Sequence, residues 1–74
     1  MNISTALDTI EETLIAITDG GSSPFLNVFL SPDGWVARIE DPEDSTLPFY
    51  GWGPTMEGSE VAIIGLAQHI LDHA

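Results

Sequence analysis

Apolar residues recur at helical spacing along the first segment of the chain. Between Asn2 and Asp19, the residues Ile3, Ala6, Leu7, Ile10, Leu14 and Ile17 fall at i, i+3, i+4 and i+7 intervals. That period places them on one face of a helix, with Thr5, Asp8, Glu11 and Glu12 on the other. Asn2 or Ser4 suits the N-cap, and Gly20-Gly21 supplies a left-handed stop. Asp19 lies near the end of this segment, where it opposes the helix dipole.

From residue 24 the period changes to two. The runs 24–30 (PFLNVFL) and 35–40 (WVARIE) flank Ser31-Pro32-Asp33-Gly34. Proline, aspartate and glycine in that order are the residues a type I turn prefers. With Pro32-Asp33 as the loop, cross-strand partners are Leu30 with Trp35, Val28 with Ala37, and Leu26 with Ile39. All six are apolar and share a face, so turn and pattern predict the same hairpin register. The opposite face pairs Phe29 with Val36, Asn27 with Arg38, and Phe25 with Glu40.

A polar loop, 40–46, carries Glu40, Asp41, Glu43 and Asp44. Residues 47–53 (LPFYGWG) read as a third strand, with Pro48 suited to a sheet edge. Pro54-Thr55 then reads as the opening of a second helix, capped by Thr55. Its apolar arc comprises Met56, Ile63, Ile64, Leu66, Ala67, Ile70 and Leu71, with Gln68, His69 and Asp72 outward. Gly58 and Gly65 lower its intrinsic helicity, so burial must hold it. The order is α-β-β-β-α in one domain spanning 1–74. Two helices with one apolar stripe each cover one face of a three-stranded antiparallel sheet, an α+β two-layer sandwich. The other sheet face stays partly open, and Phe25, Phe29, Tyr50 and Trp52 are its expected exposed aromatics.

Composition turns this fold into a functional question. Twelve acids against one base give a formal charge of −11 over 74 residues, and Arg38 is the single basic side chain besides two histidines. So few cations exclude direct binding of nucleic acid or docking to an anionic membrane. They also leave little with which to clamp a phosphate in phosphoryl transfer. The charge attracts cationic partners instead. Apolar residues make up 43% of the chain, enough to separate it from acidic chains that cannot collapse. There is no cysteine, hence no disulfide framework and no thiolate metal site. With no apolar run long enough to span a bilayer and no signal-like start, the expected location is a cytoplasm.

The spacing of His69 and His73 puts two imidazoles one helical turn apart, a geometry that can hold zinc, but no third ligand accompanies them. The acids of the 40–44 loop lack the alternating spacing and central glycine of a calcium loop. No metal or other cofactor is therefore expected. Neither a Cys or Lys nucleophile nor a serine elbow is present, so a non-enzymatic role is expected.

The element order and the junction 51–62 (GWGPTMEGSEVA) resemble the double-stranded RNA-binding domain, in which a glycine-rich strand end leads into a lysine-rich helix. Here that stretch has Glu57 and Glu60 and no lysine, so the resemblance implies the fold and argues against the activity. In length, acidity and absence of cysteine, the chain also resembles the small acidic anti-CRISPR proteins that phages encode. That resemblance implies an inhibitor that occupies a basic nucleic-acid-binding surface of a CRISPR effector in a bacterial cytoplasm. The candidate contacts, read from charge and exposure, are Asp8, Glu11, Glu12, Glu40, Asp41, Glu43, Asp44, Glu57 and Glu60. The aromatics Phe25, Phe29, Tyr50 and Trp52 complete the set.

Other readings account for parts of the pattern. Acids also keep a small domain soluble, and salt adaptation produces acid-rich, lysine-poor surfaces. Eight isoleucines and three phenylalanines weigh against salt adaptation. The alternative function is a small phage or antitoxin-like interaction domain that binds through its open sheet face. The chain itself is expected to be a monomer or weak dimer.

Overall fold

The computed structural model describes residues 1–18, 23–44 and 46–73. Helix α1 spans Ile3–Thr18, strand β1 Phe25–Ser31, strand β2 Gly34–Glu40, strand β3 Tyr50–Thr55, and helix α2 Ser59–Asp72. The sheet is antiparallel in the order β1-β2-β3. This is the α+β architecture expected from the sequence. No helix among the described residues is long and apolar enough to cross a membrane.

Asn2 caps α1: its Oδ1 accepts the Thr5 N–H at 2.8 Å. The expected Gly20-Gly21 stop and Asp19 lie outside the described residues. Of the predicted α1 face, Ala6 and Ile10 are buried and Leu14 and Ile17 pack against the core, whereas Leu7 is exposed. The apolar arc of α1 is therefore narrower than its periodicity implies. This helix rests mainly against α2 and only slightly against the sheet, so Leu7 overhangs the contact.

The hairpin takes the register its turn dictates. Partners run from Phe25 with Glu40 to Ser31 with Gly34, and include Leu26 with Ile39 and Val28 with Ala37. The Ser31 hydroxyl donates to the Gly34 carbonyl at 2.8 Å and accepts the Asp33 N–H at 3.3 Å, which ties the turn. Gly34 has φ +136°, and a β-carbon there would sit 2.6 Å from the Thr55 carbonyl oxygen. Both the backbone conformation and the close approach of β3 therefore require glycine. Leu30 occupies the predicted core face but is 61% exposed, because the helices do not reach that corner of the sheet.

One core joins the helices to the inner sheet face, with Ile10, Ile39 and Leu66 as its largest fully buried side chains. Each contributes about 1.5–3 kcal/mol by leaving water. Helix α2 is the central packing element, contacting α1 and all three strands.

Two boundaries differ from expectation. The third strand begins at Tyr50, not Leu47, and continues through Pro54 to Thr55. The second helix begins at Ser59 with Gly58 as its cap residue, so Thr55 is not the N-cap. Thr55 instead closes a short turn in which its Oγ1 accepts the Glu57 N–H at 3.2 Å. Proline at the first position of a helix and proline in an edge strand look alike in sequence. As a consequence Met56 lies outside the helix and is 79% exposed, while Leu71, though within it, is also exposed.

Candidate partner-binding surface

Pairing fixes which side chains share a face. Tyr50 lies opposite Ile39 and Trp52 opposite Ala37, so both aromatics point toward the helices. Both are half-buried against the core. The Tyr50 ring meets His69 edge-on, with centroids 6.4 Å apart, and the Trp52 indole lies against Gly65 of α2. This corrects the expectation that Tyr50 and Trp52 are exposed on the outer sheet face. It also corrects the outward placement of His69, which is half-buried. The outer face carries Phe25, Asn27, Phe29, Val36, Arg38 and Glu40, as the hairpin register requires. Phe25 is exposed there, and Phe29 and Val36 are half-buried.

Glu40 is the second correction. It is buried at 5% exposure, although the sequence places it in a run of solvated acids. Arg38 Nε lies 3.4 Å from its Oε1, and Asn27 Nδ2 donates to its Oε2 at 3.0 Å. A buried carboxylate requires such partners. Glu40 thus belongs to a polar network on the outer sheet face, where Asn27 and Arg38 close its carboxylate off from most of the solvent.

The remaining loop acids form a built turn. The Asp44 N–H donates to the Asp41 carbonyl at 3.2 Å. Asp41 Oδ1 accepts the Glu43 N–H at 2.9 Å, and Asp44 Oδ1 accepts the Thr46 N–H at 3.0 Å and its hydroxyl at 2.6 Å. Aspartates favour such turns because their short carboxylates reach the backbone two residues on. The Thr46 hydroxyl, and then the Thr46 N–H, hold the Asp44 carboxyl below its ordinary value of 3.8. Glu43 and Asp44 are exposed and Asp41 is half-buried.

Asp8, Glu11 and Glu12 are all exposed on α1. Glu57 is exposed between β3 and α2, and Glu60 is exposed in the first turn of α2, where its charge complements the helix dipole. Because Trp35 pairs with Thr55 and Ile39 with Tyr50, Glu57 follows the strand end beside the hairpin turn. The 41–44 turn leaves the opposite end of β2. A seven-residue strand separates these two ends by about 20 Å. Asp33, in the hairpin turn, and Asp72, at the end of α2, are further exposed acids not among the sequence-derived contacts. Their exposure follows from position in a turn and at a helix end, which composition alone does not rank.

The His69 and His73 rings lie with centroids 4.2 Å apart and planes tilted by 43°, and His73 Nδ1 lies 2.8 Å from the His69 carbonyl oxygen. No group of three or more potential metal ligands gathers among the described residues. Comparison with protein-family models, with curated proteins and with solved structures returns no match.

Proposed function

We propose that this chain is a non-enzymatic binding protein that occupies a basic, nucleic-acid-gripping surface of another protein. The proposed target is a CRISPR effector subunit in a bacterial cytoplasm. The observation that carries this reading is the distribution of exposed acid. With one arginine in the whole chain, carboxylates line α1 and stand at both ends of the sheet. A rigid scaffold that spreads negative charge in this way suits a surface evolved to track a phosphate backbone. The contacts under this reading are Asp8, Glu11, Glu12, Asp41, Glu43, Asp44, Glu57 and Glu60. Calorimetry with a purified effector at low and high salt tests it. Binding should weaken markedly with salt and compete with the effector's DNA. Affinity that is unchanged by ionic strength would overturn it.

A second reading rests on the outer sheet face, where Phe25 is exposed and no helix covers Phe29 or Val36. An interaction domain using that face would lose binding with Phe29→Asp. It would keep binding when Asp8, Glu11 and Glu12 are changed to alanine.

A further inference from the structure

The two edges of the sheet differ in a way that points to a second copy of this chain. Unpaired strand edges invite further strands, and proteins block them with bulges, prolines or charges. β3 is blocked: its pairing to β2 is irregular between Trp35 and Ala37, and the strand contains Pro54, which has no N–H. The other edge, β1, has none of these devices. Its seven residues pair with β2 without a register shift and contain no proline. In a chain of net charge −11, no charged residue occurs from Gly20 to Pro32.

The hairpin decides which backbone groups face outward. In a two-residue hairpin the pair flanking the turn exchanges both hydrogen bonds, and the pattern alternates from there. Ser31 and Gly34 are that pair. Phe25, Asn27, Phe29 and Ser31 therefore bond to β2, while the N–H and C=O groups of Leu26, Val28 and Leu30 point away from the sheet. The Ile39 carbonyl is directed to the β3 side, where it accepts the Phe49 N–H at 2.9 Å, in keeping with the same alternation.

We propose that two copies pair antiparallel through β1 about a twofold axis at Val28, giving a continuous six-stranded sheet. In this register Val28 meets Val28 of the second copy and Leu26 meets its Leu30. All three outward-facing residues then lie in hydrogen-bonded pairs. Leu30, the 61%-exposed residue that the helices fail to cover, acquires an apolar neighbour. The nearest acid along the strand, Asp33, falls opposite Ser23 and not opposite another acid. The association opposes the mutual repulsion of two acidic chains, so added salt strengthens it.

Sedimentation equilibrium across a concentration series, with amide exchange of the same samples by NMR, tests the proposal. Raising NaCl from about 50 mM to about 500 mM should tighten self-association roughly tenfold. The amides of Leu26, Val28 and Leu30 should gain protection with protein concentration, while those of Asn27 and Phe29 stay protected throughout. Leu30→Lys should abolish the dimer even though it lowers the net charge, and Met56→Lys, at a more exposed position and also charge-lowering, should leave it intact. A monomer at millimolar concentration in high salt would overturn the proposal. So would a dimer in which the amides of Leu26, Val28 and Leu30 exchange freely, or one that survives Leu30→Lys. Because salt weakens binding to a basic partner but strengthens this pairing, failure of one idea leaves the other standing.

Discussion

The indole of Trp52 on β3 lies so close to Gly65 on α2 that a β-carbon at position 65 would come within 2.6 Å of three ring atoms. Gly65 is one of the buried positions of α2. Two effects compete when it is replaced. Alanine favours the helix by up to about 1 kcal/mol. Forcing the ring aside costs about 1–3 kcal/mol, since a packed interface yields only by moving neighbours. Overpacking wins, so Gly65→Ala should lower stability by about 1–2 kcal/mol in urea unfolding. The double variant with Trp52→Leu should recover part of that loss, because the close contact then disappears.

Arg38 and Glu40 support a second prediction. Glu40 is enclosed while Arg38 keeps about a quarter of its side chain in water, so the pair lies between surface and interior. Arg38→Met preserves the stem packed near Gly51 but leaves an enclosed carboxylate without its cation. The loss should be about 2 kcal/mol, below the value for a fully buried pair because solvent still reaches the arginine. Glu40→Gln retains an acceptor for Asn27 and should cost about 1 kcal/mol. Because the Glu40 side chain is nearly closed to solvent, that change should leave binding to a basic partner unaltered.

The fate of Glu40 shows how far the sequence could be read. The α1 segment, the hairpin and its register followed from periodicity and from a four-residue turn that allows one pairing. The parity of β3 did not follow. The polar sequence between β2 and β3 does not fix whether Phe49 and Gly51, or Tyr50 and Trp52, face the helices. Pairing of Ile39 with Tyr50 settles it. Likewise the burial of Glu40 depends on Asn27, which lies thirteen residues away and on another strand. Four acids in five residues look equivalent in sequence, yet one closes a polar network and two build a turn.

That turn gives a pH prediction. The Thr46 hydroxyl and N–H favour the ionised form of Asp44, so its folded pKa lies below the ordinary 3.8. A depressed carboxyl contributes stability that is present above the unfolded value and is lost as pH falls through the folded one. The contribution is therefore present above 3.8 and fades as pH falls from there through the lowered folded value. Thr46→Val removes the larger cause and should move the Asp44 titration upward toward 3.8, as followed by its carboxyl carbon shift in NMR. A titration unchanged by the substitution would mean that the hydroxyl contact is not populated in solution.

The acidic stripe on α1 separates a binding role from simple solubility. Asp8 stands three residues from Glu11 and four from Glu12, so like charges neighbour each other along the helix. Such pairs destabilise a helix by about 0.2–0.5 kcal/mol each. No lysine elsewhere on the helix offsets them. Neutralising all three as Asp8→Asn, Glu11→Gln and Glu12→Gln should therefore raise stability slightly, by up to about 1 kcal/mol. If the stripe serves partner recognition, the same triple variant should bind a basic effector at least tenfold more weakly, mainly through slower association at low salt. Stability and binding would then move in opposite directions, a combination that damage to the fold does not produce. A variant that is more stable and binds unchanged would assign these carboxylates to solubility alone.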